Sequence, residues 1–136
     1  MYDHLSDAEL LKLCVWREAR GEDPAGQAGV AWSVLNRAAH PRWWGHDIRS
    51  VVLKPFQYSS FNPNDPNVAK FPDPGDPVYR RLSVICDDCM SGALPDPTGG
   101  ATSYFDASLD AKPPQWAASM DRCAVIGRIR FYRERA

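Results

Sequence analysis

Between Pro55 and Pro77 the chain carries six prolines, and no regular element of any length can pass through that stretch. Each proline removes a backbone donor and pushes the residue before it out of the helical region. The fold must therefore be assembled from regular parts on either side of a long loop, and loops of this length in compact domains are usually functional or mobile.

The part before the loop is punctuated as helices. Ser6-Asp7-Ala8-Glu9 is a capping box of the S-x-x-E type, and a helix is expected from there to Gly21, placed to act as a left-handed C-terminal cap. Asp23-Pro24 opens a second helix through Ala28, Val30, Ala31, Val34 and Leu35, which stops before Pro41. A short third helix is expected from Asp47, carrying Ile48, Val51, Val52 and Leu53 up to Lys54-Pro55. After the loop, Asp76-Pro77 repeats the cap signature, and Val78, Tyr79, Leu82, Ile85, Cys86, Cys89 and Met90 share one face of the helix that follows. The remainder reads as turns and short strands: a turn at Asp96-Pro97-Thr98-Gly99-Gly100, a strand from Ala101 to Phe105, a loop to Trp116, then strand from Ala124 to Tyr132. The expected class is α+β, a mainly helical single domain over residues 1–136 with a small antiparallel β element near the C-terminus.

The chain's 136 residues fit one domain with a single core. No apolar run approaches the roughly 18 residues of a membrane span, and a net charge of -1 points to neither a membrane nor bulk nucleic acid. Twelve of the sixteen basic residues are arginine, and Arg128, Arg130, Arg133 and Arg135 crowd the end, which reads either as a local anionic contact or, the expected reading, as a solvated strand edge. Met1 to Leu5 lacks the basic and apolar regions of a secretory leader, so synthesis in the cytosol is expected, with delivery to the site of action by a lysis system. Reduced thiols are expected for Cys14, Cys86, Cys89 and Cys123.

One residue in the first helix breaks its apolar pattern. Leu10, Leu11, Leu13, Cys14 and Val15 form a continuous face at about 100° per residue, Lys12 and Glu9 lie away from it, and Glu18 falls inside it. A carboxyl group on such a face is costly to ionise, and one kept in its acid form is suited to protonating a glycosidic oxygen. The same position also suits a carboxylate paired with Arg17, Arg20 or a distant arginine. Glu22, one turn on, is a second acid or a solvated loop residue.

The surrounding residues resemble a known family. Trp16-Arg17-Glu18-Ala19-Arg20-Gly21-Glu22, then Gly26-Gln27 and Val34-Leu35-Asn36-Arg37, are similar to the opening motif of the SleB/CwlJ-type cell-wall hydrolases, known from spore cortex-lytic enzymes and also from phages. Val51-Val52 with Gln57-Tyr58-Ser59, the turn at Asp96 to Ala101, and Trp116 with Ile126-Gly127 and Phe131-Tyr132 resemble its later blocks, in the same order. The chain departs from the pattern in a longer proline-rich loop and in Arg128-Ile129-Arg130, where the family carries a histidine. The resemblance implies a lysozyme-like fold and cleavage between N-acetylmuramic acid and N-acetylglucosamine in peptidoglycan, often by lytic transglycosylation, with Glu18 as the acid/base.

Substrate contacts are expected from Glu22, Gln57, Tyr58, Ser59, Thr98, Tyr104, Phe105 and Trp116, the three-residue run at 57–59 by hydrogen bonds and the aromatics as platforms for sugar rings or as core. Trp43-Trp44 reads either as a loop plug or as an exposed ledge. Cys86-Asp87-Asp88-Cys89 lacks a second ligand pair and reads as core thiols, so no metal and no cofactor is expected. The partner is expected to be peptidoglycan glycan strands, met by a monomer. The competing class is a non-catalytic wall-binding or virion structural module on the same fold.

Overall fold

The computed structural model describes residues 1–135. Helix α1 (Asp7–Ala19) is opened by both arms of the capping box: Glu9 N–H donates to Ser6 Oγ at 3.1 Å and Ser6 N–H to Glu9 Oε1 at 3.0 Å. Its end differs from expectation. Arg20 caps it in the right-handed region and Gly21 has no left-handed φ, because the Arg20 guanidinium bonds the Trp16 and Arg17 carbonyls that a glycine cap would satisfy.

Helix α2 (Pro24–Ala39) follows Asp23 as expected and runs through the centre of the molecule, with Val30, Ala31 and Val34 buried. Helix α3 (Ile48–Val52) is short and begins at the Asp47 cap. Helix α4 (Pro77–Ser91) begins at the Asp76 cap, buries Leu82, Cys86 and Cys89, and ends on Gly92, left-handed at φ 82°. The three long helices pack on one another, and α3 packs on α1 and α2.

The C-terminal part is a three-stranded antiparallel sheet in the order β1-β3-β2, from β1 (Ser103–Asp106), β2 (Met120–Ile126) and β3 (Ile129–Glu134). The run from Ala124 to Tyr132, expected to hold turn and short strand, is the tip and second arm of a hairpin reversed at Gly127, where φ is 56°. Tyr104 of β1 pairs with Phe131 of β3, which pairs in turn with Ala124 of β2. The sheet comes closest to α2 where Gly29 faces Phe131. A Cβ on that glycine would lie 2.5 Å from Phe131 Cζ, so only a residue without a side chain lets helix and sheet approach this closely.

The terminal arginines do not form an edge. Strand β3 is the central strand, and Arg128, Arg130 and Arg135 are paired with Asp106, Asp110 and Asp121 at 2.9–3.1 Å, while Arg133 donates to the Gly99 carbonyl. Three of the four are thus paired with carboxylates of this chain.

The proline-rich segment contains two short 3-10 turns, Ser59–Phe61 and Pro66–Ala69, and is held by a residue outside it. Arg17, 4% exposed, donates to the carbonyls of Ser60, Val68 and Lys70 and to the Tyr2 hydroxyl. Its guanidinium also lies over the rings of Phe61, Phe71 and Tyr2 at 4.7–5.5 Å.

Candidate active site

Helix α1, the proline-rich segment and β1 meet around Glu18. The last turn of α1 lifts its side chain out of the core to half burial, with the buried Cys14 one turn beneath it. Tyr104 of β1 donates its hydroxyl to Glu18 Oε1 at 2.7 Å, and Ser60 N–H donates to Oε2 at 3.2 Å. Among the described residues no cation lies within ion-pair distance of this carboxylate. The reading in which Glu18 pairs with an arginine is therefore corrected: Arg17 is turned into the proline-rich segment, and Arg20 caps α1 and bonds Asn67.

The neighbours of Glu18 keep their protons. Burial, and then the Glu18 charge, push the Tyr104 phenol well above its ordinary range, and the same two causes in the same order raise the Cys14 thiol. Tyr104 is thus a neutral hydroxyl, able to donate to a carboxylate or accept from a carboxylic acid.

Glu18 lines a cleft of about 600 Å³ that runs between the helices and the sheet. Gln57, Tyr58, Ser59, Tyr104, Phe105 and Trp116 line it too, so six of the eight expected contact residues are brought together there. Two are not. Thr98 is buried in its turn, donating to Asp96 Oδ1 at 2.6 Å and accepting from Ala101 N–H, so its hydroxyl is fully used away from the cleft. Glu22 lies beyond the end of α1 and faces the Gly127 turn, because the chain has left the helical path that would stack it over Glu18.

The aromatic residues divide by exposure. Tyr58 and Phe105 are each 4% exposed; Phe105 stacks on Tyr132 with centroids 5.5 Å apart and meets the edge of Trp116, so both serve mainly as packing. The tryptophan pair takes both of its alternatives. Trp44 is the plug, buried with Nε1 bonded to the Arg37 and His40 carbonyls, and Trp43 is the ledge, 60% exposed on the cleft.

Sequence reasoning gave no role to Arg37, Thr102 or Ser103, all of which line the cleft. Their only signal was position, Arg37 at the end of the Val34-Leu35-Asn36-Arg37 run and the other two just before Tyr104. Two further carboxylates lie on the cleft. Asp106 accepts from Ser108 N–H and from Arg128, which hold it down at about 2, and Glu134 is paired with Arg42 at 2.6 Å. Cys86 and Cys89 lie in the core, where burial first, and second the neighbouring Cys89 thiol for Cys86 and the Asp88 carboxylate for Cys89, push their thiols up to about 12 and about 11.

Two solved structures share this architecture. The catalytic domain of the germination-specific lytic transglycosylase SleB from Bacillus anthracis superposes with a TM-score of 0.73 at 24% identity, covering 96% of this chain and 98% of that one. The catalytic domain of the Bacillus cereus SleB protein gives 0.73 at 25% identity, with 96% and 94% covered. A spore cortex-lytic enzyme of Halalkalibacterium halodurans is 31% identical over 126 residues, which are 93% of this chain and 34% of that protein, so this chain spans about a third of that relative. The profile of the cell wall hydrolases matches residues 21–132, and the chain belongs to that family. The matched span begins just after Glu18.

Proposed function

We propose that this chain cleaves the peptidoglycan bond between N-acetylmuramic acid and N-acetylglucosamine, with Glu18 as acid and then base, in a lytic transglycosylation. The observation that carries the reading is the setting of Glu18: a carboxyl group on a cleft of about 600 Å³, held by two neutral donors and tied to no cation among the described residues.

The two carboxyl oxygens are unlike each other. Oε2 faces a backbone N–H, which can only donate, so in the acid form Oε2 is the carbonyl oxygen and the proton resides on Oε1. Oε1 faces the Tyr104 hydroxyl, which can reverse its bond as Glu18 changes protonation state. Transfer of this proton to the glycosidic oxygen lets the C1–O bond break and leaves positive charge on the muramic sugar. Glu18, now a carboxylate, takes the proton of that sugar's 6-hydroxyl as O6 bonds to C1, which restores the acid and consumes no water.

Glycoside hydrolases normally use a second carboxylate, at roughly 5 to 9.5 Å from the first, to activate water or form a covalent intermediate. Asp106 and Glu134 are the other acids on the cleft, and each is engaged by an arginine. That leaves the substrate's own hydroxyl as the nucleophile at hand.

Glu18→Gln tests the assignment. The amide keeps an oxygen for Ser60 N–H and offers its NH2 to the Tyr104 oxygen, so the variant should melt at or slightly above the wild-type temperature while lysis of purified walls is lost. Wall lysis by a folded Gln variant refutes the role of Glu18.

A further inference from the structure

Arg37 is a buried guanidinium, 7% exposed, at the end of α2, and among the described residues it has no carboxylate within ion-pair distance. It is held instead by acceptors from two separate segments. Nε donates to the Thr102 carbonyl, Nη1 to Gln57 Oε1 at 3.3 Å and Nη2 to Ser103 Oγ at 3.2 Å, while Trp44, Trp43 and Tyr58 surround it at 5.2–5.8 Å.

This arrangement has a polarity. A guanidinium has donors only, so the Gln57 atom facing it has to be the amide oxygen, and the lone pair of Ser103 that faces it has to be accepting. Gln57 is left with its Nε2 hydrogens and Ser103 with its hydroxyl hydrogen. Neither has an acceptor among the described residues, and both side chains line the cleft beside Glu18. The cationic charge behind them strengthens both as donors.

We infer that Gln57 and Ser103, set by Arg37, present two converging donors that bind an amide carbonyl oxygen of the substrate. Peptidoglycan offers that chemistry in two places, the acetamido group of each sugar and the amide that joins the lactyl ether of muramic acid to its stem peptide. The subsite favours a carbonyl oxygen over a plain hydroxyl, because a carbonyl accepts from both donors at once while a hydroxyl that does so must still place its own proton. This rests on the glycan-cleaving reading above. Gln57 and Ser103 are the specificity-determining residues, and Arg37 is a positioning residue.

Gln57→Glu is the informative variant. Glutamate keeps an oxygen on Arg37 but replaces the cleft-facing NH2 with a second acceptor, while Ser103→Ala deletes the other donor. Dissociation constants are measured calorimetrically for both variants and the wild type, with N-acetylglucosamine tetrasaccharide, with cellotetraose as its hydroxyl counterpart, and with a muramyl-peptide glycan fragment. The wild type should bind acetamido or muramyl-peptide ligand well and cellotetraose poorly. Gln57→Glu should weaken the preferred ligand about tenfold to hundredfold and Ser103→Ala by about fivefold to tenfold, with cellotetraose unaffected. Loss on both amide-bearing ligands identifies the acetamido carbonyl, and loss on the muramyl-peptide fragment alone identifies the lactyl amide. Unchanged affinity in both variants, or equal loss for cellotetraose, overturns the subsite. Wall lysis by the wild type is measured in parallel: if it occurs while the variants bind normally, only the subsite falls, and if binding discriminates without lysis, only the cleavage reading falls.

Discussion

Replacing Arg17 by alanine should loosen the proline-rich segment and, through it, the setting of Glu18. The side chain donates to three carbonyls of that segment, of which Ser60 O is buried and those of Lys70 and Val68 are partly so. An orphaned buried carbonyl costs about 1–3 kcal/mol, and a bond that water can replace about 0.5–1.5 kcal/mol. Loss of the stacking on Phe61 and Phe71 adds about 1–2 kcal/mol. Allowing for relaxation, the expected loss is about 3–5 kcal/mol, at the upper end of single substitutions. In a domain of this size that lowers Tm by roughly 10–20 °C. Because Ser60 supplies the N–H on Glu18 Oε2, kcat on purified walls should also fall, by roughly tenfold to hundredfold for a displacement of about an ångström. Arg17→Lys should recover less than about half of the loss, since an ammonium cannot reach acceptors spread across a planar fork. Urea unfolding gives the stability. Hydrogen exchange at the bonded amides of Phe61, Asn62, Val68 and Lys70 locates the change. A variant whose stability is within about 0.5 kcal/mol of wild type, or whose loss of stability leaves those four amides as protected as before, refutes the anchoring role.

Two more outcomes concern the frame. Gly29→Ala forces a Cβ against Phe131 and should cost about 1–3 kcal/mol in urea unfolding, whereas Gly75→Ala, with nothing within 4 Å, should be neutral or slightly stabilising; equal effects would refute the close contact. Stability should also fall in acid. Burial alone would raise Asp96, but bonds from Thr98, Asn36 and Gly100 outweigh it and hold the group below its ordinary value; Asp106 is held at about 2. Folded values below unfolded ones contribute stability that is complete above the ordinary carboxylate range, near 4, and lost as pH falls toward the folded values. Asp96→Asn should therefore lower Tm more at pH 7 than at pH 3; a pH-independent difference would contradict the linkage.

Much of the frame was legible in the sequence because its signals are local. Capping residues and prolines fixed the start of every helix, and the apolar face of α1 was read residue by residue. The exception there, the end at Arg20, came from a side chain that curls back on its own helix, which periodicity does not see. Strand order was not legible. Whether the terminal arginines lie at an edge or a centre depends on pairing β3 with β1, more than twenty residues earlier, and nothing in either strand specifies it. Of the cleft, Glu18 and the run at 57–59 stood out as polar groups in the wrong surroundings or in a recognisable motif. Arg17 and Arg37 did not, since a buried arginine bonded to carbonyls looks in sequence like any surface arginine. Thr98 and Glu22 were misplaced for a related reason: a motif marks a residue as special without saying whether its partner is the substrate or its own turn.

The central claim, that Glu18 acts without a second catalytic carboxylate, is tested most directly by its product. Purified peptidoglycan is digested with the wild-type protein, left unreduced, and the released muropeptides are analysed by mass. The account predicts muramic ends closed as 1,6-anhydro rings, lighter by one water than the hydrolysed form, because the 6-hydroxyl and not water takes C1. Reducing muramic ends would contradict it and would mean that water takes C1, activated by Glu18 itself or by Asp106 or Glu134 released from its arginine.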